Sequence, residues 1–391
     1  MTALSKLAAS ILQSEIRIMS VECAKVGGIN LAQGVCDTEL PAPVRAGAIA
    51  AIESGLNSYT RLDGIGELRQ AIATKLRCDN GISVDAEREV VVTVGSTGAF
   101  YSSCVALLDP GDEVIVFEPY YGYHVNTLAL VQAKPAYVKL APPGWTFSRV
   151  DLERVITPKT RAIVVNTPAN PTGKVFTREE LGWIAELAVK HDLFVFTDEI
   201  YEYFLYDGRE HISPATLPGM AERTVTISGF SKTFSITGWR IGYAACSARW
   251  APAIGYFHDL AYVCAPAPLQ AGVAAGLREL KPDFYAVLGV EYAAKRKLIC
   301  DTLTAIGLTP FVPQGAYYVL ADASLLPGNG SKEKAMHLLH SAGVASVPGK
   351  SFYSDGGGEQ MLRFCFAKTD ADLAEACRRL EDAHVRTAVG R

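Results

Sequence analysis

The chain has 391 residues, 49% of them hydrophobic and 20% charged, and its 37 Lys and Arg against 41 Asp and Glu leave a formal net charge of −4. Such hydrophobicity with so small a net charge excludes a disordered chain, and the lack of a basic excess or basic stripe excludes general nucleic-acid binding. The length suffices for two domains, or for one large domain with a smaller satellite.

The nine cysteines are odd in number, scattered, and include no C-x-x-C pair. Neither a disulfide framework nor a thiolate zinc site is expected, and no metal is assigned. Met1–Ser14 reads as a short amphipathic stretch lacking the charged region, long apolar core and cleavage site of a signal peptide. No apolar run approaches the roughly 18 residues that a membrane span needs. A reducing, cytoplasmic setting is expected, with no membrane and no nucleic-acid partner.

In chain order, strands are predicted over Glu89–Val94, Glu113–Phe117, Ala136–Leu140, Ala162–Asn166, Phe194–Thr197, Thr224–Ser228 and Ile241–Ala245. Helical patterns separate several of them, as at Thr97–Leu108, Thr177–His191 and Ala248–Ala261. Near-continuous apolar strands alternating with helices indicate a largely parallel sheet buried on both faces. The pattern changes near Leu280-Lys281-Pro282. A long helix is predicted from Asp283 to Ala305, then short strands at Tyr317–Leu320 and Leu362–Phe366, with a helix at Lys332–Ala342 between them and another from Asp370 onward. The fold class is therefore α/β, a large domain with a mostly parallel central sheet flanked by helices, plus a smaller α+β unit.

Ligands of open α/β sheets gather beyond the carboxyl ends of the strands, so the residues following each strand are the candidates for chemistry. Gly95-Ser96-Thr97-Gly98-Ala99 is a small-residue turn opening a helix, able to offer free N–H groups and a helix dipole to an anion. Small residues also start helices simply for packing. Asn166-Thr167-Pro168-Ala169-Asn170-Pro171-Thr172-Gly173 is a stiff loop that holds Asn170, or else a plain turn. Asp198, at the end of a buried strand, needs a cationic or hydrogen-bonding partner. Lys232, among apolar and small residues, either snorkels to the surface or serves Schiff-base chemistry with a lowered pKa. Gly238-Trp239-Arg240-Ile241-Gly242 adds a second cation beside it.

Taken together, Asn170-Pro171-Thr172-Gly173, Asp198-Glu199-Ile200-Tyr201, Ser231-Lys232-Thr233 and Gly238-Trp239-Arg240-Ile241-Gly242 resemble the class I/II aminotransferases of fold type I, which depend on pyridoxal 5'-phosphate. The likeness runs from Asn30-Leu31-Ala32-Gln33-Gly34 to Leu362-Arg363-Phe364-Cys365-Phe366. Within the family, Arg363-Phe364-Cys365-Phe366-Ala367-Lys368 and Val347-Pro348 are most similar to the kynurenine/glutamine/methionine aminotransferase group. The resemblance implies an N-terminal segment (1–40) packing with the small domain, a large cofactor-binding domain (41–282) and a small C-terminal domain (283–391).

It also implies roles. Lys232 matches the Schiff-base lysine, which then shuttles a proton from the substrate Cα. Asp198 matches the partner of the pyridine nitrogen, Asn170 and Tyr201 the partners of the ring hydroxyl, and Tyr121 the aromatic stacked on the ring. Ser96, Thr97 and Arg240 match the phosphate site. Tyr59 matches a tyrosine that reaches the phosphate of the neighbouring subunit, which implies a homodimer. Arg363 matches the arginine that forks onto the substrate α-carboxylate, with Asn170 and Gly34 beside the substrate.

Three departures stand out. The N-terminal loop reads Gly34-Val35-Cys36-Asp37-Thr38 where the family usually has proline, aspartate and an aromatic after the glycine. Gly229 occupies the place of a phosphate-binding serine, leaving Ser228 or Ser231 to compensate. No second arginine for a side-chain carboxylate is matched. Among decoys, His337 and His340 lack a third ligand, Gly349-Lys350-Ser351 has Val344 where a P-loop needs glycine, and Asn329-Gly330-Ser331 is a bare sequon.

The expected activity is ping-pong transfer of an amino group from an L-amino acid to a 2-oxo acid through Lys232. Tyr101, Tyr121, Tyr123 and Tyr262 are expected to line a pocket for a neutral or aromatic substrate. A β-eliminating lyase or other Cα-carbanion enzyme uses the same groups and stays open at this point. A cofactor-binding regulator without turnover fits less well, because the constellation is intact and Met1–Ile29 is too short to append a DNA-binding segment.

Overall fold

Apolar residues that alternate between two faces build the central sheet of this computed structural model, which describes residues 5, 7, 8 and 13–389, with side chains as far as Ala383. The amphipathic reading of Met1–Ser14 falls largely outside the described residues. Seven strands form the sheet: β2 (Val90–Val94), β3 (Glu113–Glu118), β4 (Lys134–Lys139), β5 (Thr160–Asn166), β6 (Phe194–Asp198), β7 (Thr224–Gly229) and β8 (Ile241–Ala245), in the order β2-β8-β7-β6-β5-β3-β4. β1 is the two-residue strand Ile29–Asn30. Along β5, Ala162 and Val164 enter one apolar core while Ile163 and Val165 enter another, and Val195 and Phe196 of β6 divide in the same way. A strand with helices on both faces has no polar side to show, hence the unbroken apolar runs.

The pairings are parallel from β4 through β3, β5 and β6 to β7. β8 runs antiparallel to both β7 and β2. As a result β2, β5, β6 and β7 all end on the edge of the sheet where β8 begins.

Helices cover both faces, among them Gly95–Leu107, Arg178–Lys190 and Ala251–Tyr262. Thr177 and Glu180 form a reciprocal capping box at the start of the second of these. Helices Ala42–Glu53, Gly66–Asp79 and Ala267–Glu279 were not predicted. The first packs so closely on the third that a Cβ at Gly272 would lie 2.7 Å from the Val44 carbonyl oxygen.

After the helix Pro282–Ala305, an antiparallel sheet of β9 (Thr309–Phe311), β10 (Tyr318–Asp322), β12 (Val347–Pro348) and β13 (Met361–Cys365) forms in the order β12-β13-β10-β9. The N-terminal segment joins this part: β1 pairs in parallel with β11 (Val344–Ala345). Among the described residues no helix is long and apolar enough to cross a membrane.

Beneath the end of β6 lies a buried polar network. Lys75, from helix Gly66–Asp79, pairs with Glu202 and donates to Asn80 Oδ1 at 2.7 Å. Glu199, fully buried, accepts from Thr197 Oγ1 (2.7 Å) and Ser213 Oγ (2.5 Å) and pairs with His211 Nε2 (2.7 Å). Burial raises the pKa of Glu199, yet His211, Ser213 and Thr197 outweigh it and hold the group below its ordinary value. Glu199, Glu202 and His211 bring ligand atoms within 4.8 Å of one another, but the positive charge among them is already the Lys75 ammonium. Lys75→Met strands the Glu202 carboxylate and is expected to lower the unfolding free energy in urea by about 3–5 kcal/mol, with Glu202→Gln added to it restoring part of the loss.

A second buried group ties a helix to the sheet edge. His258 Nε2 accepts the Val94 N–H at 2.9 Å, fixing the last residue of β2 where the chain turns into Gly95–Leu107. Burial pushes the His258 pKa from 6.5 down to about 4. The folded value lies below the unfolded one, so the unfolded chain binds the extra proton between them and stability falls as pH drops from 6.5 toward 4. The loss attributable to His258 is about 3 kcal/mol by pH 4. His258→Gln, which keeps an acceptor but does not titrate, should flatten the pH dependence of the unfolding free energy, measured in urea, by that amount.

Candidate active site

Because the parallel strands end on one edge, their next residues surround a single cavity of about 490 Å³. β2 delivers Ser96 and Thr97, β5 delivers Asn166 and the loop to Asn170, and β6 delivers Asp198 and Tyr201. β7 leads into Ser231 and Lys232, and Arg240 immediately precedes β8. Tyr121 follows β3 through Pro119 and Tyr120. From the smaller sheet come Tyr318 of β10 and Arg363 of β13, and from the N-terminal segment Gly34.

Asp198 is nearly sealed from water and its Oδ2 lies 3.0 Å from His124 Nε2. Ile200 N–H donates to the other carboxylate oxygen at 3.3 Å. His124 is itself buried, between Phe100 at 4.7 Å and Tyr121 at 5.3 Å between ring centroids. Asn166 Nδ2 donates to the Asp198 carbonyl (3.0 Å) while its Oδ1 accepts the Asn170 N–H (2.7 Å), locking the two strand ends together.

Lys232 Nζ points into the cavity and donates to the Gly34 carbonyl at 2.8 Å. Burial holds its pKa below the ordinary lysine value, against the pull of neighbours such as Asp198. The neutral, nucleophilic amine is thereby favoured. Tyr201 and Tyr318 pair through their hydroxyls at 3.0 Å, and burial raises the pKa of both phenols. A Cβ at Gly34 would sit 1.8 Å from the Tyr318 hydroxyl, so that phenol depends on glycine there.

Arg363 is fully buried, with Nη1 donating to Asn170 Oδ1 (2.8 Å) and Nη2 to the Ala32 carbonyl (2.5 Å). Its guanidinium lies over the rings of Tyr318 and Phe352, 4.3 and 5.1 Å from their centroids. Arg240 adopts the left-handed φ of +57°, a conformation a non-glycine residue keeps only when its surroundings demand it. Its guanidinium packs on Gly95, where a Cβ would meet Nη2 at 2.5 Å, and a Cβ at Gly242 would lie 2.5 Å from Ser96 N. Two glycines thus leave a cradle between the start of a helix and an arginine.

The sequence-derived residues Gly34, Ser96, Thr97, Tyr121, Asn170, Asp198, Tyr201, Lys232, Arg240 and Arg363 all border this cavity. Tyr59 does not border it and is 82% exposed. Of the four tyrosines expected to line the pocket, Tyr121 and Tyr123 do so, stacked at 5.3 Å, whereas Tyr101 and Tyr262 lie elsewhere. Tyr262 instead contacts His258 on the outer helix. Sequence reasoning missed His124, Tyr318 and Arg17 as cavity-side residues. His124 and Tyr318 carry no local signal because their partners are 74 and 117 residues away.

Residues 26–380 match the protein family described as aminotransferase class I and II. A probable N-succinyldiaminopimelate aminotransferase of Mycobacterium tuberculosis is 37% identical over 374 residues, covering 93% of this chain and 94% of that one. The kynurenine–oxoglutarate transaminase of Dictyostelium discoideum is 33% identical over 390 residues, covering 90% of each chain. The solved structure of the N-succinyldiaminopimelate aminotransferase from Mycobacterium tuberculosis superposes with a TM-score of 0.94 at 35% identity, covering 97% of this chain and all of that one.

Proposed function

Since this chain belongs to the class I and II aminotransferase family and is a pyridoxal-phosphate-dependent aminotransferase, we propose that the cavity residues divide its work as follows. The cradle of Gly95 and Gly242, with Ser96, Thr97, Ser231 and Arg240 around it, suits the phosphate, since a helix start and a guanidinium both favour an anion. Asp198, oriented by His124, suits a protonated ring nitrogen. Asn170 and Tyr201 would hold the ring hydroxyl, and Tyr121 would cover the ring face. Once bound, the cofactor supplies an aldehyde that exchanges the lysine amine for the substrate's, and a ring that accepts the electron pair left at Cα. Lys232 Nζ, whose pKa burial lowers, would take the Cα proton and carry it to the cofactor carbon that had borne the aldehyde. Arg363 orients the substrate by its α-carboxylate, and its contacts with Asn170, Ala32 and Tyr318 fix the fork.

The observation that carries this reading is the convergence of Lys232, Asp198 and Arg363 on one cavity. Tyr121, Tyr123, Tyr318, Val35 and Ile16 give it apolar and aromatic walls, which favours neutral or aromatic amino donors. A homodimer completes the reading. Tyr256, Leu260 and Val263 line one exposed stripe of a helix whose Gly255 packs on Leu62, and this is the face that a second copy would cover, with Tyr59 reaching the partner's phosphate. Free cysteines throughout suit a reducing, cytoplasmic setting.

Absorption spectroscopy tests the assignment directly. Adding an amino donor should replace the visible band of the lysine-bound cofactor with that of the aminated cofactor, and a 2-oxo acid should restore it. Lys232→Ala should abolish turnover while the protein still folds. Release of pyruvate and ammonia without formation of the aminated cofactor would reject amino-group transfer. In a donor screen, the best neutral or aromatic amino acid should at least equal aspartate and glutamate in kcat/KM. An acidic donor that outruns every neutral one would overturn the substrate reading.

A further inference from the structure

Tyr201 and Tyr318 are both buried, both border the cavity, and meet through their hydroxyls at 3.0 Å. Among the described residues neither hydroxyl makes another hydrogen bond. A phenol carries one proton and can also accept, so two protons share one bond and one is left without a protein acceptor. Such a proton is uncommon in a buried pair, and the side open to it is the cavity. The two hydroxyls differ in their surroundings. That of Tyr318 is pressed against the bare Cα of Gly34, where a Cβ would come within 1.8 Å of it. Tyr201 follows the end of β6 and shares the cavity with Asp198 and Asn170. In the free chain either hydroxyl can donate. Donation from Tyr318 to Tyr201 is the arrangement that leaves the spare proton on the Tyr201 side, next to those two residues.

The ring of Tyr318 has a separate contact. In the antiparallel pairing of β10 with β13, Tyr318 lies opposite Cys365 and Leu320 opposite Arg363. Tyr318 and Arg363 are therefore diagonal neighbours on one face, within reach of each other for side chains of this length. The Arg363 guanidinium sits 4.3 Å from the centre of the Tyr318 ring. One side chain thus meets Tyr201 with its hydroxyl and Arg363 with its ring face.

We propose that Tyr318 is a positioning residue with two parts: its hydroxyl donates to Tyr201, which turns the Tyr201 proton toward the oxygen of the cofactor's ring hydroxyl, and its ring face seats Arg363 for the α-carboxylate. This rests on the division of work proposed above, in which Tyr201 serves the ring hydroxyl and Arg363 the substrate. A hydroxyl that itself receives a hydrogen bond donates more strongly. The relay therefore favours the charged form of that ring oxygen, and with it loss of the proton from the nitrogen that joins Lys232 to the cofactor. The visible band of the lysine-bound cofactor reports that proton, so its midpoint in a pH titration lies lower with the relay than without it. Tyr121, Asp198 and Tyr317 face Tyr201, while Arg363, Cys365 and Cys36 face Tyr318. Arg240 adds a charge near Lys232. All of these remain when only the Tyr318 hydroxyl is removed.

The experiment compares the holoenzyme as wild type, Tyr318→Phe, Tyr318→Leu, Tyr201→Phe and the double variant Tyr201→Phe/Tyr318→Phe. Without substrate, Tyr318→Phe should raise the midpoint of the visible band by about half a pH unit, with KM for a neutral donor within about twofold of wild type. Tyr318→Leu should show the same rise and a KM roughly fivefold higher or more, because it also removes the ring beneath Arg363. Tyr201→Phe should raise the midpoint further, and adding Tyr318→Phe to it should change nothing more, a coupling that a merely structural role would not produce. A midpoint unmoved in Tyr318→Phe, or a rise that persists in full on the Tyr201→Phe background, would overturn the relay and leave the assignment of Tyr201 intact. Equal KM values for Tyr318→Leu and Tyr318→Phe would overturn the seat for Arg363. A midpoint unmoved in Tyr201→Phe would overturn the assignment of Tyr201 itself, and the relay with it.

Discussion

Asp198 closes β6 with its carboxylate almost out of reach of water, 3.0 Å from His124 on one side and bonded to the Ile200 amide on the other. A buried carboxylate survives only with such partners, and satisfying this one organises the pocket floor. His124 has to be held between Phe100 and Tyr121, which sets where the chain after β3 runs. Asn166 has to brace both Asp198 and Asn170, which sets the loop after β5. The next residue, Glu199, points the opposite way into the network with His211 and Ser213. Two adjacent carboxylates therefore face opposite sides of the strand, one toward the cavity and one into the protein.

The wall opposite depends on the N-terminal segment. Gly34 supplies a carbonyl to Lys232 and, lacking a side chain, leaves room for the Tyr318 hydroxyl that meets Tyr201. Ala32 supplies a carbonyl to Arg363. Since β1 pairs with β11 and not with the large sheet, these contacts join the N-terminal segment, the smaller sheet and the strand ends of the larger one around one volume. A relative shift of these parts would alter the Arg363–Asn170 contact and the Lys232–Gly34 contact together.

Much of this was legible in the sequence because burial on both faces leaves apolar runs, and because the strand ends carry residues that stability alone does not explain. What escaped has physical reasons. Helix Gly66–Asp79 buries Arg69 and Lys75 along with its leucines, so its inward face does not read as apolar. Helix Ala42–Glu53 is rich in alanine and shows little contrast between faces. β1, β11 and β12 are two residues long, too short to show any period. The reversal of β8 is invisible to hydropathy, since a buried strand has the same pattern in either direction.

Gly229 shows how a departure in sequence is absorbed by geometry. A Cβ there would lie 3.0 Å from both the Gly242 Cα and the Ile241 carbonyl oxygen, so the close approach of β7 and β8 leaves no easy room for a serine. Of the two neighbours, Ser228 donates to the Glu199 carbonyl and to Glu202, on the inner side. Ser231 borders the cavity with its hydroxyl 3.5 Å from Arg240 Nη1. The hydroxyl missing at 229 is thus offered two residues later, beside the Arg240 guanidinium that borders the cavity, and the tight glycine contact between β7 and β8 keeps Arg240 close to it.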